Sequence, residues 1–341
     1  MTMFRRNFIA AITAISATTG IAALSATTAL AAPEDFADME PVELRLAHVV
    51  NEQDGFHIAA EKFRDLVDER TGGKISVEIF PNASLGDERT LLEGMQIGSI
   101  DMGIITNGPV SNFLEEMAVF ELPFLFPSRE AAYSVLDGEI GQELLDRLSE
   151  VNLKGLAYAE RGFRNLTNSQ RAVSSPADME GMRIRVMENP VYIDTFRALG
   201  ANAVPMAWTE ALTAMQQDTI DGQENPVNVV DSFKLDETQD YMTMTRHTYA
   251  PALFVMGLPI WSQLDEAAQD VLVEAAREAS AYERDMNAQM EEKQLDALRE
   301  RGMEINTDPD LAAFQAKVQP VYDQYGEQFG DYLDRIRSEL N

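Results

Sequence analysis

The chain has 341 residues, 57 acidic against 27 basic side chains, a net charge of −30, three histidines and no cysteine. So acidic a surface repels nucleic acid and anionic lipid headgroups, which excludes both as partners. Without cysteine there is no thiol nucleophile, thiolate zinc site or iron–sulfur cluster, and His48, His57 and His247 form no H-E-x-x-H pair.

Arg5 and Arg6 precede an uncharged, mostly apolar run from Phe8 to Ala23, and Ala29-Leu30-Ala31 offers small residues to a signal peptidase. This pattern predicts a cleavable export signal over 1–31, and Arg5-Arg6-Asn7-Phe8-Ile9 resembles the twin-arginine kind. The apolar run is too short, and too rich in Ala, Thr and Ser, for a permanent anchor, so no stable membrane insertion is expected.

Val42–Val49 alternates as a strand, and Asp54–Glu69 then carries an amphipathic helical pattern ended by Thr71-Gly72-Gly73. Lys74–Phe80 alternates again, Leu85–Gly98 is helical, and Ser99–Ile105 is a third strand. Strands and helices taking turns at these lengths predict βαβ units and a largely parallel sheet, with ligand contacts at the carboxyl ends of its strands. A second pattern starts near Asn152, with strands at Leu153–Ala157, Arg183–Val186 and Ala203–Met206 and helices at Pro190–Leu199 and Thr209–Gln217. Phe254–Leu258 is one more strand. From Leu264 to Glu300 there is neither Gly nor Pro, and Val271, Leu272, Ala275, Ala279, Tyr282 and Met286 recur at helical spacing. At 1.5 Å per residue this makes about 55 Å of helix, longer than one small domain. The expected fold is therefore α/β: two lobes, a ligand cleft between them and a long helix spanning both. One lobe is expected at 42–161 plus 251–290, the other at 162–250 plus 291–341.

The chemistry concentrates in Gly181–Pro226. An arginine suits an anion because its planar guanidinium meets a carboxylate with two parallel hydrogen bonds and stays charged. In Arg183-Ile184-Arg185-Val186 both arginines fall on one face of a strand, so periodicity leaves the choice between them open. Further along stand Phe196-Arg197-Ala198-Leu199-Gly200-Ala201, Val204-Pro205-Met206-Ala207-Trp208-Thr209-Glu210 and Ile220-Asp221-Gly222-Gln223-Glu224-Asn225-Pro226. With Leu85-Gly86-Asp87-Glu88 and Ala118-Val119-Phe120-Glu121-Leu122-Pro123-Phe124 upstream, these motifs resemble the solute-binding proteins of tripartite ATP-independent periplasmic (TRAP) transporters, the dicarboxylate-binding DctP family. The likeness runs in order along nearly the whole mature chain.

The resemblance implies a periplasmic binding protein without a cofactor that hands a small organic anion to membrane permease subunits. A monomer is expected. The resemblance selects Arg185 as the arginine that binds the substrate carboxylate and Asn225 as its helper. It also implies Trp208 as an aromatic over the ligand, Arg164 as a second ligand-facing arginine and Glu88 as an acceptor for ligand hydroxyls. Each has an ordinary structural use as well: Asn225 in a turn before Pro226, Trp208 as a core or staple residue, Glu88 in the first turn of a helix. Asn107, at the carboxyl end of a strand, and His48, with Phe56 and His57 near the first strand's end, are further candidates, with packing or capping as the alternative. His247 reads as hinge or core. Arg185–Val191 resembles members that take sugar acids such as hexuronates and aldonates; a C4-dicarboxylate or another oxo or hydroxy acid is the alternative. The competing class is an exported cleft hydrolase. No G-x-S-x-G, P-loop or dinucleotide fingerprint supports it, and carboxylate pairs among so many acids arise by chance.

Overall fold

Residues 36–340 are described in the computed structural model, and the expected export signal lies outside the described residues. Buried Leu44 and Leu46 alternate with more exposed neighbours in the first strand, β1 (Val42–Ala47). The helix Gly55–Thr71 follows, capped by Asp54, whose side chain accepts from Phe56 N, and ended by Gly72 at φ 59°. It returns the chain to β2 (Ile75–Phe80), which pairs parallel with β1. The helix Glu88–Gln96, capped by Asp87, leads to β3 (Met102–Thr106), parallel to β1 on its other side. A second parallel wing consists of β5 (Arg183–Val186), β6 (Asn202–Pro205) and β7 (Gly222–Asn225).

Two long strands join the wings: β4 (Leu153–Asn168) and β8 (Tyr241–Gly257). They pair antiparallel with each other, β8 with β3 and β4 with β7, giving one sheet in the order β2-β1-β3-β8-β4-β7-β5-β6. A short β9 (Glu304–Asn306) runs parallel beside β8. The expected largely parallel sheet is thus two parallel wings around an antiparallel centre. The expected strands Leu153–Ala157 and Phe254–Leu258 caught only one end of each, and Leu258 itself lies in a short helix past β8, because Gly162, Pro251 and many polar residues interrupt the apolar pattern elsewhere. Those polar residues are buried regardless, among them Glu160, Arg161, Arg164, Asn165 and Thr167 of β4.

The long helix covers Glu266–Glu300, 35 residues, close to its expected limits, and Asp265 caps it. Ala268, Leu272, Ala275, Ala276 and Ala279 form its buried stripe. Arg70, from the helix after β1, pairs with Glu278 on the long helix. Further along, Glu291 meets Arg246 of β8 at 3.9 Å, and Arg301, just past the helix end, meets Asp231 at 2.6 Å and Asp236 at 3.0 Å. The helix therefore reaches elements of both wings. Among the described residues, no helix is long and apolar enough to cross a membrane.

Candidate functional site

At the carboxyl ends of parallel strands the chain turns into the loops and helix starts of its crossovers, and ligand clefts form there. Val49 and Val50 follow β1, Thr106 ends β3, Met187 follows β5, Met206 and Trp208 follow β6, and Asn225 ends β7. All of these line two adjoining hollows of about 550 and about 330 Å³ that share Val49, Glu88, Arg185, Met187 and Trp208. Asn189 fixes one edge. Its side chain caps the helix Pro190–Ala198, accepting from Val191 N at 2.8 Å, while its amide donates to Gly108 O at 3.2 Å and Ser111 Oγ at 2.6 Å. Beside it Asn112 Nδ2 donates to Glu188 O at 2.7 Å. Residues after β3 and after β5 are thereby joined across the cleft edge.

Three buried arginines line the cleft: Arg161, Arg164 and Arg185. Arg161 and Arg164 are an odd number of positions apart, so a regular strand would aim them to opposite faces. The pairing of β4 with β8 shifts register between Glu160 and Gly162, and Gly162 takes φ 107°, a backbone shape that side chains other than hydrogen resist. The bulge turns both arginines toward one cleft.

Two of the three already have counter-ions. Arg161 Nη2 meets Asp54 Oδ2 at 2.5 Å. Arg164 grips Glu224 with Nε and Nη2, the latter donating to Oε1 at 2.8 Å and to the Glu224 carbonyl at 2.6 Å. Arg185 is 3 % exposed, yet no carboxylate lies within 4.0 Å of it among the described residues. Its Nε and Nη2 donate to the single carbonyl of Met206, at 3.0 and 2.7 Å, and the guanidinium lies 5.7 Å from the Trp208 ring centroid. Burial pulls its pKa down to about 10, although Glu224 and Glu88 favour the charge. The structure also separates the two strand arginines. Arg183 is half exposed and engaged with Asp221 at 2.6 Å, which leaves Arg185 as the cationic group open to a ligand.

Glu88 stands in the same cleft, at the start of its helix, and its Oε1 accepts from Thr106 N at 2.7 Å. Burial pushes its pKa up, while the Thr106 hydrogen bond and the charges of Arg161 and Arg185 work against that rise. Trp208, at the head of its helix, is 8 % exposed and sits edge-on to Phe233, 5.0 Å between ring centroids. Asn225 Nδ2 donates to Gln223 Oε1 at 2.5 Å, on the cleft wall.

Behind the cleft the polar groups serve one another. Glu224 accepts from His247 Nε2 at 3.2 Å, and His247 Nδ1 meets Thr245 Oγ1 at 2.8 Å. Burial works against the Glu224 charge, but Arg164 and His247 outweigh it and hold the carboxyl below its usual range. Tyr192 donates to Glu121 Oε2 at 2.6 Å. Burial raises Glu121 to about 7, and the negative Glu224 adds to the effect.

Arg185, Asn225, Trp208, Arg164 and Glu88 therefore come together on one cleft, whereas Asn107 and His48 are not among its lining residues. Asn107 is fully buried, its amide spent on Glu121 Oε1 at 2.7 Å and Met117 O at 2.9 Å. His48 is fully buried with Nε2 at 3.1 Å from His57 Nδ1, and burial with the neighbouring His57 pushes its pKa down to about 3. Both stand at strand ends, but their side chains turn into the protein. His247, expected as hinge or core, is buried. Sequence reasoning missed Arg161, Asn112 and Glu188; for Arg161 the signal was the glycine that follows it.

Residues 46–328 match the family described as bacterial extracellular solute-binding protein, family 7, the DctP family. The chain belongs to this family. A DctP relative, the 2,3-diketo-L-gulonate-binding periplasmic protein of Escherichia coli, is 38% identical over 80% of this chain and 83% of its own length. Solved DctP-type structures agree. The sugar acid binding protein of Advenella mimigardefordensis in complex with galactonate has a TM-score of 0.86 at 33% identity, covering 89% of this chain and 99% of that one. A TRAP periplasmic solute-binding protein from Polaromonas, bound to D-erythronate, has a TM-score of 0.85 at 34% identity, covering 88% and 98%. DctP proteins are substrate-binding components of TRAP transport systems that bind small organic acids and work with a TRAP permease.

Proposed function

We propose that this chain is the periplasmic receptor of a TRAP transporter for a sugar acid such as an aldonate or hexuronate, which it delivers unchanged to the permease. The observation that carries this reading is Arg185. A guanidinium taken out of water without a carboxylate partner costs several kcal/mol, and a ligand carboxylate supplies the missing charge with matching geometry. Trp208 covers the guanidinium, Asn225 and Arg164 flank it, and Glu88 offers an acceptor for hydroxyls. The bound acids of the structural relatives support the hydroxylated class.

A thermal-shift and calorimetric panel of galactonate, erythronate, glucuronate and succinate tests this. At about a hundred times its dissociation constant a ligand adds roughly 2.7 kcal/mol of stability. Tightest binding of succinate would replace the sugar-acid reading with a C4-dicarboxylate one, and turnover of a bound acid would replace transport with hydrolysis. Cleavage before Ala32, seen in the mass of the exported protein, tests the leader.

We further infer lobes at 42–161 plus 251–290 and at 162–250 plus 291–341, closing about β4 and β8 near Glu160 and Tyr249–Pro251. Closure should lower the radius of gyration in small-angle scattering when ligand is added; an unchanged value at saturation would mean a rigid receptor.

A further inference from the structure

We propose that the cleft is built for one negative charge, and that Glu88 is the specificity-determining residue that turns away dicarboxylates while accepting hydroxylated monocarboxylates. This rests on the sugar-acid reading and narrows it.

The argument is a balance of charges on the cleft walls. Arg161 and Arg164 are neutralised by Asp54 and Glu224, so their positive charge is already committed inside the protein. Of the three buried arginines, Arg185 alone has no carboxylate within 4.0 Å among the described residues. Arg89 also lines the larger hollow, but it is exposed and already paired with Glu93 at 2.9 Å, so the acids set against Arg185 are Glu88, Asp87 and Glu188, all lining the cleft and none in an ion pair. Asp87 is occupied as a helix cap, accepting from Thr90 N at 2.8 Å, but a cap does not cancel its charge. One ligand carboxylate completes Arg185. A second would enter a wall holding three carboxylates and no free cation.

Glu88 is the one of the three placed to decide. It lines both hollows, as Arg185 does, whereas Asp87 and Glu188 line only the larger one. Its carboxyl group is anchored by Thr106 N and cannot swing out without giving up that bond. A second anion beside it would have to face its charge or drive a proton onto it. A hydroxyl meets no such conflict, since it donates to a carboxylate and accepts from a carboxylic acid.

The test uses a matched pair on the mature protein: galactonate, with one carboxylate, and galactarate, with a second carboxylate on the same six-carbon chain. Erythronate and tartrate form the four-carbon pair. Titration calorimetry near neutral pH should find each monoacid bound about 100-fold more tightly than its diacid, the scale expected for like charges brought together in a desolvated site. Glu88→Gln should weaken the monoacid and strengthen the diacid, narrowing the ratio to about 10-fold or less. The wild-type ratio needs no variant, so a Glu88→Gln protein that failed to fold would not remove the test. A diacid bound as tightly as its monoacid, or a ratio that Glu88→Gln leaves unchanged, overturns this inference and leaves the sugar-acid reading standing. Silence from all four acids and from glucuronate overturns both.

Discussion

Arg185 and Arg164 line one cleft and carry the same charge, yet their removal should have opposite effects on the ligand-free protein. Arg164 is half of a fully buried pair with Glu224, so Arg164→Ala strands a carboxylate in the interior. Breaking such a pair costs about 3–5 kcal/mol, and the melting temperature should fall by many degrees. Arg185 has no carboxylate to strand. Arg185→Met forfeits two hydrogen bonds to Met206 O, together about 1–3 kcal/mol, but relieves a buried cation whose desolvation costs several. Its ligand-free melting temperature should equal or exceed that of the wild type, while the shift induced by a sugar acid disappears. Differential scanning calorimetry with and without galactonate measures both variants. A marked loss of stability in Arg185→Met would make Arg185 a structural residue. Arg185→Lys should also bind poorly, since one ammonium cannot reproduce the two-pronged contact. Sequence could place an arginine here but could not choose between Arg183 and Arg185, because the choice is made by Asp221, a residue 38 positions away that claims Arg183.

At the scale of elements, the bulge in β4 sets the cleft, and Gly162 sets the bulge. A Cβ at Gly162 would lie 3.5 Å from Glu160 Oε1 and 3.5 Å from Pro226 Cβ, ordinary contact distances, so the cost of Gly162→Ala lies in the backbone at φ 107°. That cost is on the order of 1–3 kcal/mol. Relaxing the strain re-aims Arg161 and Arg164, so affinity should fall along with stability. Gly181→Ala is the control: at φ 76° with nothing within 4 Å, it bears a similar backbone cost but holds no arginine in place. Equal affinity losses in the two variants, read by calorimetry at one temperature, would show that the bulge does not aim the site. The same locality explains what was legible beforehand. The helices after Asp54, Asp87, Asn189 and Asp265 were readable because their apolar spacing is local, and the side chains that cap them are local too. The strands β1, β2 and β5 were readable from alternation or strand-forming residues. The far halves of β4 and β8 were not, because residues buried on both faces keep no alternation and their polar groups are satisfied only by distant partners.

Across the whole molecule, the buried acids give stability a pH dependence that the surface cannot supply. Exposed carboxylates finish ionising well below neutrality, so the net charge of −30 is nearly constant above pH 6.5. Glu283, on the long helix, behaves otherwise. Its Oε2 accepts from Glu160 N at 2.9 Å, and burial together with the nearby Glu160 carboxylate raises its pKa from 4.5 to about 8, against the pull of Arg161 and Arg284. Glu121 is raised to about 7 in the same way. Above pH 4.5 the unfolded chain releases these protons while the folded protein keeps them, so stability falls as pH rises toward 8. The histidines act on the other side: His48, lowered from 6.5 to about 3, makes the unfolded chain the better proton acceptor below 6.5, so stability falls as pH drops through that range. His247, also lowered by burial, acts in the same direction. The windows oppose each other below pH 6.5, and above it only the carboxylates act. The ligand-free melting temperature should therefore decline between pH 6.5 and 8.5 at fixed ionic strength. Glu283→Gln keeps the shape of the protonated acid without its titration, so it should flatten most of that decline and melt higher than the wild type at pH 8.5. Scanning calorimetry of both proteins at pH 6.5, 7.5 and 8.5 decides the matter; parallel declines would assign the slope to groups other than Glu283.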